Sequence, residues 1–208
     1  MIVSNDYVEK QTVIFVKETD SMEKALGKLQ DSGYRCIPVL DESRNKFLGN
    51  IYKVHILEHE KEHGLNDTVK QLVDDKEGFV KEDDSFFKVF SSIKKLPYLA
   101  IVNENEEFLG ILTHANVITV LENAWGVNNG GYSLTIGTVE FSGALQKILK
   151  TINKHCSVQS VISLNNNSKY ARRVLIVLPK DVVKQTVDVI KKELYKKNFI
   201  VTDVEKLN

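Results

Sequence analysis

Cysteine is scarce in this chain: two residues in 208, Cys36 and Cys156. They lie far apart with no partner at zinc spacing, so small buried thiols are the expectation. An excess of one charge is missing too, with 28 Lys and Arg against 28 Asp and Glu. Without a basic excess, nonspecific nucleic-acid binding lacks its main driving force, and no nucleic-acid partner is expected. No run approaches the roughly 20 apolar residues that a membrane helix needs. The opening Met1-Ile-Val-Ser-Asn-Asp6 lacks the basic region and apolar stretch of a signal peptide. A cytoplasmic protein with no membrane partner is therefore expected. No Ser-His-Asp or Cys-His arrangement is visible, and the chain reads as non-catalytic. Hydrophobic residues, at 42%, suffice for a packed core.

What is present is a repetition. Phe15-Val-Lys-Glu-Thr-Asp-Ser21 returns 64 residues later as Phe79-Val-Lys-Glu-Asp-Asp-Ser85. Met22, Ala25, Leu26 and Leu29 recur as Phe86, Val89, Phe90 and Ile93, the i, i+3, i+4, i+7 stripe of a half-buried helix. Phe47-Leu-Gly49 returns as Phe108-Leu-Gly110 at an offset of 61, the difference falling where Ser32-Gly33 and Arg44-Asn45 suit loop changes. The unit is duplicated.

Each copy predicts the same succession. A short strand (13–16 or 78–80) meets an Asp-Ser pair able to cap a helix. The helix leads to a buried strand, Cys36–Leu40 or Tyr98–Val102, then a polar turn, a strand through the glycine and a second helix. Pro38 fits an edge position with no ladder N–H to donate. Between the copies, 66–73 reads as a connecting helix. A copy of about 50 to 60 residues buries too little apolar surface to be stable alone, so the two copies must pack together. After Trp125 comes a linker, Val127-Asn-Asn-Gly-Gly131. The rest reads strand 132–136, helix 142–153, strand 158–164, turn 165–168, strand 173–178, helix 182–197, strand 199–204. That is the split βαβ order, one sheet with helices on one face.

Pro38-Val-Leu-Asp41 and Gly110-Ile-Leu-Thr-His-Ala-Asn116, set in this duplicated order, resemble a tandem pair of CBS domains, a Bateman module. Copy two matches the family's helix-opening signature at Gly110, Thr113 and Asn116. Copy one departs from it, with Tyr52 and His55 in the corresponding places. The last part resembles an ACT domain through its element order and Gly143-Ala-Leu145, although Glu140-Phe-Ser-Gly143 stands where acid-x-Pro-Gly is usual. The fold expected is α+β: two CBS domains packed as a pseudo-symmetric pair plus a βαββαβ, ferredoxin-like ACT domain. The expected partition is 1–64, 65–125, a linker at 126–131 and 132–208.

Thr113 at a helix start suits a phosphate, because free N–H groups and the positive end of the helix dipole lie beside it. Asn116, one turn on, can hydrogen-bond paired ribose hydroxyls. The resemblance implies a nucleobase between apolar strand residues of both copies, here Thr12, Val13 and Ile14 with Tyr98, Leu99 and Ala100. A mirror cleft would use Arg35, Cys36 and Ile37 with Tyr52 and His55, facing Glu77-Gly78, and Arg35 could fork onto a phosphate. Each residue also has a plainer reading: Thr113 and Asn116 as a helix cap, Arg35 as a surface charge, Tyr52 and Tyr98 as core or rim aromatics.

His59-Glu-Lys-Glu-His63 satisfies H-E-x-x-H, the pattern of a zinc protease helix. Its flanks are Glu and Lys and Gly64 follows at once, whereas a catalytic zinc helix continues apolar; a solvated helix end is expected and no metal site. Lys191, Lys192, Lys196 and Lys197 around Tyr195 read as a solvated face. The combination of CBS pair and ACT-like domain resembles bacterial cyclic di-AMP-binding CBS–ACT proteins. The implied function is a non-catalytic receptor with no cofactor, ligand cyclic di-AMP, an unidentified protein target, and homodimerisation through the ACT-like sheet. The resemblance also leaves open an AMP or ATP energy sensor, an acetoin-utilisation accessory protein, and an amino-acid-responsive ACT regulator.

Overall fold

The computed structural model describes residues 7–139, 142–164 and 172–207. The chain divides into two compact units, Met1–Val117 and Ile118–Asn208. The first opens with β1 (Val8–Glu9) and a 3-10 turn at Lys10–Thr12, then runs through both copies of the repeat. Copy one gives β2 (Val16–Lys17), α1 (Met22–Ser32), β3 (Cys36–Leu40), β4 (Phe47–Tyr52) and α2 (Lys53–His63). Copy two gives β5 (Phe79–Lys81), α3 (Phe86–Ile93), β6 (Tyr98–Val102), β7 (Phe108–Thr113) and α4 (His114–Trp125), of which the part from Ile118 on belongs to the second unit. The strands form sheets β2-β3-β4 and β1-β7-β6-β5.

The duplicated Asp-Ser pair does the same work twice. Ser21 Oγ accepts the Lys24 N–H at 3.2 Å, and Ser85 Oγ accepts the Phe87 N–H at 3.3 Å. Asp20 accepts the Lys17 N–H at 3.0 Å and Asp84 the Lys81 N–H at 2.9 Å, fixing the entry to each helix. Each carboxylate also meets a lysine one turn on, Lys24 at 2.6 Å and Lys88 at 2.7 Å. Burial works to raise both carboxyls, but these lysines and N–H groups together hold them below the usual carboxylate range. A depressed folded pKa supplies stability that is whole above the unfolded value and lost as pH falls through the folded one. Replacing Asp20 and Asp84 with Asn should therefore lower the melting temperature near neutral pH and leave it close to wild type in strong acid; thermal unfolding across pH checks this.

The predicted stripe of α1 is buried throughout: Met22, Ala25, Leu26 and Leu29. In α3, Phe86, Val89 and Ile93 are buried, and Phe90 is half-buried with its ring edge-on to Phe86. The two copies are joined reciprocally. Val8 and Glu9, ahead of copy one, pair with Ile111 and Gly110 of copy two. Asp74, ahead of copy two, bridges Asn50 of copy one. Both crossings use the repeated glycine. A Cβ on Gly110 would collide with the Val8 carbonyl oxygen, and one on Gly49 would collide with that of Asp74. Between the copies lies a shared core of Val13, Leu40, Ala100 and Phe108, with the Phe47 and Phe108 rings stacked 6.2 Å apart.

Some local expectations change. The 66–73 segment is not a helix but a 3-10 turn at Val69–Leu72, because copy one takes its backbone: Val69 and Lys70 donate to the carbonyls of Asp20 and Glu18. The opening strand of copy one begins at Val16, and residues 13–15 stay outside it. Strand β3 is central rather than an edge. Pro38 is tolerated there because β2 reaches only Val39 and Leu40, leaving position 38 paired with Asn50 alone.

The second unit contains β8 (Gly130–Thr138), α5 (Ala144–Ile152), β9 (Ser160–Leu164), β10 (Arg172–Pro179), α6 (Lys184–Tyr195) and β11 (Ile200–Lys206). Its sheet order is β11-β8-β10-β9, antiparallel throughout, the βαββαβ arrangement of two interleaved split βαβ units. Leu134, Ile136 and Ile176 of the sheet pack with Ile148, Ile152, Val187 and Ile190 of the two helices. Strand β8 begins at Gly130, inside the expected linker. The expected turn at 165–168 lies outside the described residues. Among the described residues no helix is long and apolar enough to cross a membrane.

Candidate ligand-binding site

A cavity of about 400 Å³ opens in the first unit at the seam between the copies. The leading segment supplies Thr12, Val13 and Ile14; the start of β3 supplies Arg35, Cys36, Ile37 and Pro38; copy two supplies Tyr98, Ile111 and Thr113. The size lies within the roughly 300–1,000 Å³ of small-molecule sites. The sequence divides these residues between two clefts, and the fold brings them to one. Parallel pairing of Val16 with Val39 explains why: it sets the residues before Val16 beside those before Val39.

The walls are apolar and the polar groups few. Ile14 is 38% exposed and Val13 8%. Thr12 turns its hydroxyl away, donating to the Glu9 carbonyl at 2.9 Å. Burial pushes the Cys36 thiol up to about 11, against the opposing hydrogen bonds of Tyr98 and Tyr52, so it stays protonated. Tyr98 offers its ring, and its hydroxyl donates to Asn50 Oδ1 at 2.5 Å. Burial holds that hydroxyl well above its usual pKa. Arg35 is exposed, and its carbonyl accepts the Lys53 N–H at 2.9 Å. Its guanidinium has no hydrogen-bond or ion-pair partner among the described residues. No carboxylate among the described residues lines the cavity. An arginine without a counter-charge above apolar walls suits a ligand with an apolar body and an anionic end.

Thr113 lies at the cavity and at the start of α4, where it forms a reciprocal cap with Asn116. Thr113 donates its N–H at 3.1 Å and its hydroxyl at 2.5 Å to Asn116 Oδ1. The Asn116 N–H donates back to Thr113 Oγ1 at 3.3 Å. This is the capping role, present in full. The carboxamide N–H₂ of Asn116 has no partner among the described residues and is free to donate elsewhere. Asn116 itself does not line the cavity, and neither do Leu99 and Ala100, both fully buried in β6. Val8, Tyr34 and Ile111 line it without any signal in the local sequence pattern. Val8 meets Ile111 only through the pairing of β1 with β7, a contact that no periodicity announces.

The mirror position carries polar side chains bonded to one another. Tyr52 donates its hydroxyl to Asp75 Oδ2, and Asn50 Nδ2 donates to the same oxygen at 3.4 Å. The His55 ring lies 5.2 Å from that of Tyr52. Gly78 is held between the Asp75 carbonyl and the Ala100 N–H. On α2, His59 Nε2 pairs with Asp67 Oδ2 at 2.9 Å, and the His63 ring sits 4.7 Å away. No cluster of three or more metal-ligating side chains occurs among the described residues.

The CBS domain profile matches residues 5–62 and 69–123, the two copies of the repeat. The chain belongs to the CBS-domain family. Among solved structures, a CBS domain-containing protein of unknown function from Bacillus anthracis str. Ames Ancestor is 29% identical, TM-score 0.54, with 59% of this chain and 93% of that one covered. CbpB in complex with c-di-AMP is 15% identical, TM-score 0.54, with coverage of 59% and 85%. A CBS domain pair/ACT domain protein from Thermotoga maritima is 20% identical, TM-score 0.51, with coverage of 58% and 96%. The last two likenesses concern the fold. No curated protein matches the sequence. The cavity thus lies between the two CBS domains of one chain.

Proposed function

We propose that this CBS pair is a non-catalytic, cytoplasmic receptor for an adenine nucleotide, with cyclic di-AMP as the ligand. The observation that carries the reading is the seam cavity, apolar on its walls and without a carboxylate among its described residues, with the unpartnered Arg35 at its rim. Adenine would lie between Val13, Ile14 and Ile37 on one side and Tyr98 and Ile111 on the other. A phosphate would meet Arg35 and the first N–H groups of α4 near Thr113. The Asn116 carboxamide would turn its free N–H₂ toward the ribose. A protein of this fold, CbpB, has been solved with c-di-AMP, and others of the fold with AMP and with ATP, so the likeness supports an adenine nucleotide and the choice among them rests on the titration.

The partition that goes with this reading is 1–64 and 65–125 as the CBS pair, 126–131 as linker and 132–208 as an ACT-like homodimerisation domain. Occupancy of the cavity signals only if a target protein binds the occupied and empty states with different affinity. Isothermal titration of the full chain against cyclic di-AMP, AMP, ADP, ATP and S-adenosylmethionine tests the proposal. Micromolar or tighter binding of cyclic di-AMP alone is the expected result. Preference for AMP or ATP makes the protein an energy sensor instead, and failure of all five overturns the receptor reading.

A further inference from the structure

The two halves of the seam are built from the same repeated strand but are chemically opposite. Ile111 pairs with Ala100 in copy two, and Asn50 holds the corresponding place opposite Pro38 in copy one. Ile111 lines the cavity; Asn50 is fully buried on the other side. A buried carboxamide is costly unless its hydrogen bonds are made. Those of Asn50 are made to groups belonging to copy two. Its Oδ1 accepts from Tyr98 at 2.5 Å, its Nδ2 donates to Asp75, and its backbone exchanges two hydrogen bonds with Asp74 at 2.7 and 2.9 Å. Where the cavity side has Thr113, the opposite side has Tyr52, whose hydroxyl is fastened to Asp75.

From this we infer that Asn50 is a positioning residue for the cavity, and that its network closes the mirror cleft, leaving one nucleotide site per chain. The inference rests on the receptor reading. Tyr98 is the link. Its ring forms cavity wall while its hydroxyl is drawn across the seam into the Asn50 network, so the ligand meets a fixed aromatic surface. On the closed side stands the Asp75 carboxylate, where the described lining of the cavity side has no acid at all. That charge disfavours a phosphate there as well as filling the space.

The test uses the full chain, titrated calorimetrically with AMP and with cyclic di-AMP and melted in parallel, as wild type, Tyr98→Phe, Asn50→Ile and the double variant. Wild type should take up one cyclic di-AMP per chain. Each single variant takes the strong partner from a buried polar group, Asn50→Ile leaving the Tyr98 hydroxyl only the 3.8 Å contact with the Cys36 thiol, so both the melting temperature and, by roughly tenfold, the affinity should fall. The double variant removes both polar groups and makes position 50 match Ile111. Its melting temperature should recover toward wild type while its affinity stays roughly tenfold weak, because nothing then fixes the ring. Affinity that returns along with the melting temperature would show a purely structural role and overturn the inference. So would two cyclic di-AMP molecules per chain. A wild type that binds neither nucleotide fails differently: it removes the receptor reading itself, and this inference with it.

Discussion

Phe108→Ala is expected to cost about 3–5 kcal/mol, the largest loss from any single truncation at the seam. Phe108 is 1% exposed and sits where both copies contribute to one core, with Val13 and Leu40 from copy one and Ala100 from copy two. Its ring stacks on Phe47, and its backbone N–H donates to the Asn45 carbonyl at 2.6 Å. Truncation keeps that backbone bond and opens a void between the copies that neither β3 nor β6 can move in to fill, since each is buried along its whole length. The repeat supplies its own control. Phe47 is the matched residue in copy one but is only half-buried, so Phe47→Ala should cost clearly less. Urea denaturation of the two variants decides the matter. Equal losses would mean that the seam is held elsewhere than at Phe108.

The second large effect concerns ligand rather than stability. Arg35→Ala should weaken nucleotide binding about 10- to 100-fold, the worth of a hydrogen bond to a charged group, with little change in melting temperature. The two measurements separate because the guanidinium supports nothing in the unliganded fold: it is exposed and has no partner among the described residues. Arg35→Lys should recover only part of the affinity, since an ammonium keeps the charge but loses the planar fork. The difference between wild type and the Arg35→Ala variant should shrink as salt is raised. Unchanged affinity in Arg35→Ala would remove the phosphate from this rim.

Much of this fold is legible in the sequence, for physical reasons that differ from element to element. Strands β3 and β6 fall where Cys36–Leu40 and Tyr98–Val102 predict, because five consecutive buried residues bounded by polar turns admit little else. Helices α1 and α3 start where the Asp-Ser pairs place them. The 66–73 segment misleads because its apolar spacing suits a helix while its hydrogen-bonding groups are claimed by residues 18–23, a tertiary demand that periodicity does not register. Of the residues expected at the ligand, most converge on one cavity, but their division into two clefts depended on which strand runs beside which. That was fixed by the parallel alignment of β2 with β3. Asn50 left a sign that could have been read: the repeated Phe-Leu-Gly is followed by Asn in one copy and Ile in the other. A polar residue at a position that its own duplicate keeps apolar marks a place where the halves have diverged for a reason.

The reciprocal placement of Val8–Glu9 on β7 and of Asp74 on β4 means that neither half finishes its own sheet. A single repeat would need the arm of a second molecule before its sheet could close. Carrying both repeats on one polypeptide makes that embrace intramolecular and independent of concentration. It also frees the two flanks from having to be alike, so that one can serve as a lock while the other stays open as a pocket.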